Sequence, residues 1–482
     1  MSLQAVEKTE TQNSEAVKLK KVKYSKLLIG LLAIAMYLIL TNLPTPDGLS
    51  INGQKALALM VSAIIIWVFE VIPIGISAPL MVMLMGFLGI VPMKDAMSNF
   101  MIPTIFFIMS ALIIATGFIG SGLGNRLSLI VSTIFGSKAD KVLLSFMLST
   151  ALISTVLADI PTAVIFSGMA YTLLKKNNCT PGKSNFGKAM MIGIPIAAAI
   201  GGIGTPVGSG INILAISLLK DTANVNINFL QWTVIGFPMA IILTIAAWYI
   251  ILKTFPPEFE KVKGLDDVAL ESKKLGSLST YEKKFIAIFS ITLLLWFTQP
   301  WNHLDAAVVA IITAAVFFLP GINLATWDDV KGKIGLDVLF LIGAANSIAM
   351  AIFNLKGAEW LANSVLGGIS GASIIVLLLA VSAFGIFSHL IIPVATAVLA
   401  VVIPVLAVIA TNIGVNPTLL VLPIAFTASC VFLLPLDPIP LVTYNYKYWK
   451  FWDMMKPGFF IALVWIVLLV IFMYFFYSIG YI

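Results

Sequence analysis

The chain has 482 residues, of which 60% are hydrophobic and only 11% charged, with a mean hydropathy of +1.04. This excludes a soluble domain and defines an all-α polytopic membrane protein whose first partner is the lipid bilayer. The formal charge of +7 carries no nucleic-acid signal, because the cations sit in polar segments that flank apolar runs. The only cysteines, Cys179 and Cys430, stand far apart, and the only histidines are His303 and His389. No disulfide framework, metal site or cofactor is called for.

Residues 1–24 are polar and lysine-rich and read as a cytoplasmic tail. An apolar run at 27–40 follows Lys18, Lys20, Lys21, Lys23 and Lys26, and no small-residue cleavage site follows it. Residues 25–55 are therefore read as a retained first transmembrane helix. Residues 56–253 form a first repeat, with spans at 56–72, 77–91 and 101–119, a hairpin at 142–174, a broken helix at 189–219 and a span at 229–252. Residues 254–284 are a polar cytoplasmic linker. Residues 285–482 form a second repeat, with spans at 285–301, 305–320 and 335–355. A hairpin at 372–411, a broken helix at 417–445 and a last helix at 458–479 complete it.

The hairpin at 142–174 is 33 residues long, while one bilayer crossing needs about 20. Two crossings do not fit, and the middle holds Asp159 and Pro161, both costly in a continuous membrane helix. A charge at the bilayer centre costs roughly 2.5–3.5 kcal/mol on insertion scales, so Asp159 is expected to face a cavity or the protein interior. The reading is a re-entrant hairpin that turns at Asp159–Pro161. Its irregular backbone then has to line a protected or wet space, which makes the tip a binding-site candidate.

The run 189–219 is broken by the glycine-rich stretch Gly201–Asn212. No strand precedes it and no Gly-Lys-Ser/Thr ends it, so it is a discontinuous helix and not a phosphate loop. The second hairpin contains no Lys, Arg, Asp or Glu, but carries Ser388, His389 and Pro393. The second break contains Asp437, Pro438 and Pro440. Ile160–Pro161 and Ile392–Pro393 are 232 residues apart, and so are Thr205–Pro206 and Asp437–Pro438. The shared offset argues for an internal duplication.

With the N-terminus inside, about eleven transmembrane helices and two re-entrant hairpins place 25 of the 29 Lys+Arg in cytoplasmic pieces. The C-terminus then lies outside, in a multi-pass protein of the cell membrane. The two hairpins open to opposite sides, so the repeats are inverted, the architecture of a secondary transporter with its site near the midplane.

These residues resemble the divalent anion/sodium symporter family of dicarboxylate and citrate carriers over nearly the whole chain after the tail. Trp67–Ile74 (WVFEVIPI) is similar to the family's Trp-x-x-Glu-Ala-Ile-Pro segment, and Gly201–Asn212 to its first Gly-rich, Asn-ending break. Ala428–Pro435 (ASCVFLLP) resembles the lead into the second break, and Asp453, Met454 and Gly458 the motif opening the last helix. The resemblance implies a scaffold of outer spans, a moving transport domain working as an elevator, a homodimer, and no enzyme activity. The family usually carries Ser-Asn-Thr at both hairpin tips; here the first reads Ala158-Asp159-Ile160 and the second Val394-Ala395-Thr396. The family's Thr-Pro-Pro-Asn of the second break reads Asp437–Pro440 (DPIP). Losing both asparagines points away from sodium coupling. His389 resembles a histidine at a similar place in sodium-independent exchangers of the family.

The candidate substrate-binding residues are Asp159, Pro161, Thr162, Thr205, Pro206, Gly208, Ser209, Asn212, His389, Pro393, Thr396, Asp437 and Pro438. The bland alternatives are neutralised acids in a packed interior, prolines that merely end helices, and hydroxyls bonded back to their own helix. Carboxylates would be held by half-helix N-termini and hydroxyls, with His389 as the one candidate cation. His303 reads as interfacial and Glu70 as a structural partner. The expected function is sodium-independent exchange of dicarboxylates such as succinate, malate, fumarate or 2-oxoglutarate by alternating access. The alternative is a sodium- or proton-coupled symporter of di- or tricarboxylates with Asp159 or Asp437 as the cation ligand. An intramembrane aspartyl protease is a remote third: two membrane aspartates are its minimum, but the contexts Leu-Ala-Asp-Ile and Pro-Leu-Asp-Pro lack its motifs.

Overall fold

The computed structural model describes residues 25–482 except 125, 128–129, 131–135, 265–273, 370, 393, 431 and 436; the side chains of 366–369 are likewise left aside. The expected tail at 1–24 and Pro393 lie outside the described residues. Among the described residues the chain is helical throughout, with no strand and one isolated bridge between Lys138 and Lys261. Seven stretches among the described residues are long and apolar enough to cross a bilayer, including Ser25–Asn42, Phe229–Thr254, Leu336–Asn354 and Ala395–Asn412. The protein is an α-helical, multi-pass membrane protein.

The helices run α1 (Ser25–Asn42), α2 (Ile51–Val68), α3 (Ile74–Phe87), α4 (Met93–Ser98), α5 (Pro103–Ser121), α6 (Ala139–Ser154), α7 (Asp159–Lys176), α8 (Asn185–Gly202), α9 (Gly210–Ala223) and α10 (Phe229–Thr254). The second half runs α11 (Thr280–Phe297), α12 (Ala306–Phe317), α13 (Trp327–Lys331), α14 (Leu336–Asn354), α15 (Gly357–Ile369), α16 (Ile374–Ser388), α17 (Ala395–Asn412), α18 (Pro417–Thr427), α19 (Pro438–Tyr444) and α20 (Met455–Ser478). Side-chain caps start many of them. Asn228 and Gln231 form a capping box on α10, and Ser279 and Glu282 another on α11. Ser50, Ser184, Ser373 and Asn416 cap α2, α8, α16 and α18.

Helix starts recur along the chain at a nearly constant offset. Nine helices of the first half, α2 to α10, find counterparts whose starts lie 226 to 236 residues on. Two short pairs were not expected from the sequence: α4 with α13, and α15, whose counterpart segment is largely outside the described residues.

The chain folds as two compact units that do not follow the repeats. One comprises Met1–Met101 and Leu336–Leu361. In it α3 packs on α2, α4 and α14, and the α14 side chains of Asn346 and Ser347 donate to Asn99 O (2.9 Å) and Ala96 O (2.7 Å). Helix α1 is held loosely: only 6% of it is buried, and Ser62 Oγ donates to Ala33 O at 2.9 Å. Glu70 is exposed at φ 43°, and its backbone carbonyl, not its carboxylate, accepts from Lys26 Nζ at 2.7 Å.

The other unit comprises Ile102–Gly335 and Ala362–Ile482 and contains both hairpins and both broken helices. In it α5 packs on α12, with Phe107 and Phe229 against Trp296. The linker is tied down on this unit. Ala139 N donates to Glu260 O (2.8 Å), Val262 N to Ser137 O (2.8 Å) and Lys263 N to Asn177 Oδ1 (2.7 Å). Arg126, the sequence's only arginine, pairs with Glu282 at 2.6 Å and also bonds the carbonyls of Leu275, Gly276 and Ser277. His303 sits exposed in the left-handed region at φ 55°, closing the turn after Gln299–Asn302.

Candidate functional site

Inside the second unit the two repeats interlock. The first hairpin (α6, α7) packs on α8, and the second hairpin (α16, α17) packs on α18. The short helix after each break crosses over: α9 lies on α17 and α18, while α19 lies on α7 and α8. Each hairpin therefore faces the broken helix of its own repeat and the half-helix of the other.

The first tip corrects the sequence reading. The turn lies at Thr155–Ala158, and α7 begins at Asp159 itself. Asp159 and Pro161 sit in the first helical turn, where free N–H groups welcome a carboxylate and a proline forfeits no hydrogen bond. Asp159 Oδ1 accepts from Ile160 N at 2.8 Å. Thr162 Oγ1 turns back to Leu157 O (3.0 Å) and Ala158 O (3.1 Å), so the hydroxyl closes the tip.

The first break runs from Ile203 to Ser209 with a 3-10 turn at Pro206–Gly208. Asn212, expected in the break, stands in the first turn of α9. Its Nδ2 reaches back across the break to Gly202 O (2.8 Å) and Thr205 O (2.9 Å). Trp232 Nε1 takes the Ile203 carbonyl at 2.8 Å. The carbonyls of Gly202, Ile203 and Thr205 are thus satisfied inside the protein, which irregular backbone at membrane depth demands. Thr205 Oγ1 donates to Thr155 O and fastens break to tip. The glycines are steric: a Cβ on Gly201 would fall on the Ala151 backbone, and one on Gly208 on the carbonyls of Gly202 and Ser154.

Around this joint the acids gather. The Ser209 hydroxyl faces the Asp159 carboxylate, and Asp159 Oδ2 stands 3.6 Å from where a Gly202 Cβ would be. Asp437 caps α19, its Oδ1 accepting from Ile439 N at 3.0 Å, with Pro438 as the first residue of that helix. The carboxylates of Asp159 and Asp437, one from each repeat, lie within electrostatic reach of each other. No lysine or arginine occurs on either hairpin tip or either break among the described residues.

His389 ends α16 and is 5% exposed; neither ring nitrogen has a hydrogen-bond partner, although the backbones of Ile392 and Thr427 lie close by. The buried hydroxyls of Thr396 and Ser429 are also unpartnered. No ion pair joins His389 to either acid among the described residues. The structure brings Asp159, Thr205, Gly208, Ser209, Asn212 and Asp437 together. It places His389 and Thr396 on the second tip, without a bond to that group. Thr155 and Trp232 were missed, because a threonine and a tryptophan in apolar runs carry no periodic signal.

The chain matches the sodium:sulfate symporter transmembrane region over residues 23–481. It is 26% identical over 474 residues to a sodium-dependent dicarboxylate transporter, SdcS, of Staphylococcus saprophyticus, covering 93% of this chain and 91% of the relative. A membrane protein of Cupriavidus necator is 26% identical over 429 residues, covering 84% of this chain and 83% of its own. Among solved structures, Neisseria gonorrhoeae MtrF shares the fold with a TM-score of 0.54 at 14% identity, covering 93% of this chain and 94% of that one. The Alcanivorax borkumensis YdaH transporter does so at 0.50 and 15%, covering 80% and 87%. The chain therefore belongs to the sodium:sulfate symporter family, the divalent anion/sodium symporters, and is a membrane transporter, not an enzyme.

Proposed function

We propose that the protein is a sodium-coupled dicarboxylate symporter of the cell membrane. One observation carries this reading: two carboxylates, Asp159 and Asp437, lie within electrostatic reach of each other at the tip-and-break joint, with no lysine or arginine there and no ion pair to His389 among the described residues. A dianionic substrate bound beside them needs a cation, and oxygen ligands suit a hard one. The SdcS relatives, named as sodium-dependent, support the same direction. This favours the sodium-coupled alternative over the exchanger expectation, which rested on the missing asparagines and on His389: Asp159 takes one asparagine's place with more oxygen charge, and Asp437 adds a second carboxylate from the other break.

In this reading the substrate carboxylates lie at the N-termini of α7, α9 and α17, near Ser209, His389 and Thr396. Sodium is held by Asp159 and Asp437. The re-entrant placement of the hairpins, the N-terminus-inside orientation and a homodimeric assembly belong to the same proposal. Proteoliposomes with inward gradients of sodium, potassium or choline test it through labelled succinate uptake. Uptake should rise steeply and saturably with sodium alone, and Asp159→Asn should raise the half-saturating sodium at least tenfold. Equal one-for-one exchange in all three salts from preloaded vesicles would restore the exchanger.

A further inference from the structure

A large cavity lies within the first unit. It is an open groove of about 1010 Å³ between α1, α2 and α3, with an almost wholly apolar lining. Helix α1 forms one wall but touches its neighbours along a narrow strip: Ala33 is fully buried, while Leu27, Leu31, Ile34 and Leu38 on either side remain 53–59% exposed. At one end stands Lys26, a lining residue, with its ammonium on the Glu70 carbonyl at 2.7 Å. An ammonium has three donors, so that single bond leaves Lys26 able to bind an anion. Lys18, Lys20, Lys21 and Lys23 precede it in sequence.

We propose that this groove seats an acyl chain of an anionic phospholipid, whose phosphate is held by Lys26. Two independent features meet here: an apolar channel running along a membrane helix of about 27 Å, and the Lys26 ammonium at its end. Lysine clusters at the start of a membrane helix attract anionic headgroups, at about 1 kcal/mol per basic residue. A second copy of the chain is the rival occupant. Membrane two-folds pair like faces in parallel, so a contact through α1 would set the two copies of Lys26 at the same level, like charge beside like charge. A negatively charged lipid removes that repulsion.

The test uses the full-length protein, stripped of lipid in detergent and titrated with phosphatidylglycerol or phosphatidylcholine of identical chains under native mass spectrometry. Phosphatidylglycerol should bind at clearly lower concentration. Lys26→Gln should cut that preference about fivefold, the equivalent of about 1 kcal/mol. Ile34→Trp, a lining position exposed enough to take the ring, should weaken both lipids by filling the groove. Leu38→Trp repeats the block in case the first variant misfolds. Equal binding of the two lipids, or an unchanged preference in Lys26→Gln, overturns the headgroup assignment. If either tryptophan variant converts a dimer to a monomer while lipid binding persists, the groove is a protein interface and the proposal fails.

Discussion

Asn212 and Thr162 look alike in the sequence, as polar residues beside a proline-bearing discontinuity, yet the structure gives them unequal weight. Asn212 bonds two carbonyls across the break, that of Gly202 and that of Thr205, the latter also accepting from Gly208 N at 3.2 Å, whereas the Thr162 hydroxyl bonds carbonyls at the end of its own turn. Leaving a buried carbonyl unpaired costs about 1–3 kcal/mol. Asn212→Asp should therefore lower the melting temperature sharply and abolish uptake, since its oxygens would face the carbonyls of Gly202 and Thr205. Thr162→Val should cost less than about 1 kcal/mol and keep uptake; loss of uptake in a stable Thr162→Val protein would return that hydroxyl to the substrate. Gly201→Ala, with its Cβ on the Ala151 backbone, should cost about 1–3 kcal/mol, while Gly168→Ala, which meets nothing within 4 Å, should be neutral or mildly stabilising. Thermal melts of the four variants decide these points. Composition identified the break, but which polar atom repairs it depends on backbone directions that no residue type encodes.

At the scale of elements, the long apolar helices and both breaks could be read directly, because few charges interrupt them. Boundaries at the tips could not. A proline looks the same whether it ends one helix or opens the next, so the first turn was placed at Asp159–Pro161 when it lies at Thr155–Ala158. Helix α15 was missed because its sequence, GAEWLANSVLGGI, mixes polar residues and glycines with its apolar ones. The linker's grip on the hairpin mouth was also hidden, since it runs through backbone groups. Glu258 makes that grip testable. Its carboxylate accepts from the N–H groups of Asn185 and Phe186 at the start of α8. Burial raises its pKa, but those backbone donors outweigh burial and hold it below the ordinary value. A depressed carboxyl contributes stability in full above its unfolded pKa of about 4.3 and loses it as pH falls from there through its lower folded value. Glu258→Gln should melt below the wild type at pH 7, by about 0.5 kcal/mol after allowance for its exposure, and converge with it only as pH falls below about 4. A constant gap across that range would mean that shape, not charge, holds α8.

At the scale of the whole molecule, the duplication sets an acid from each repeat at one joint, and this gives a prediction whose sign changes with sodium. The offset of 232 residues was legible in paired prolines; that it delivers Asp159 and Asp437 to each other was not, because it depends on α9 and α19 crossing between repeats. At pH 8 in choline buffer, the two carboxylates repel without a balancing cation. Asp159→Asn removes that repulsion and should be at least as stable as the wild type. Sodium reverses the order. A ligand that binds only the folded state stabilises it by about 1.4 kcal/mol at ten times its Kd, and the wild type should gain this while Asp159→Asn gains little. Asp437→Asn should behave in the same way. The double variant should fall short of the sum of the singles by about 0.5–3 kcal/mol, as expected for groups sharing one site. Melting temperatures of the four proteins across a sodium series, at constant ionic strength, read this directly. If the wild type gains no stability from sodium while Asp159→Asn is destabilised in choline, the carboxylates are a structural pair, and the coupling ion binds elsewhere.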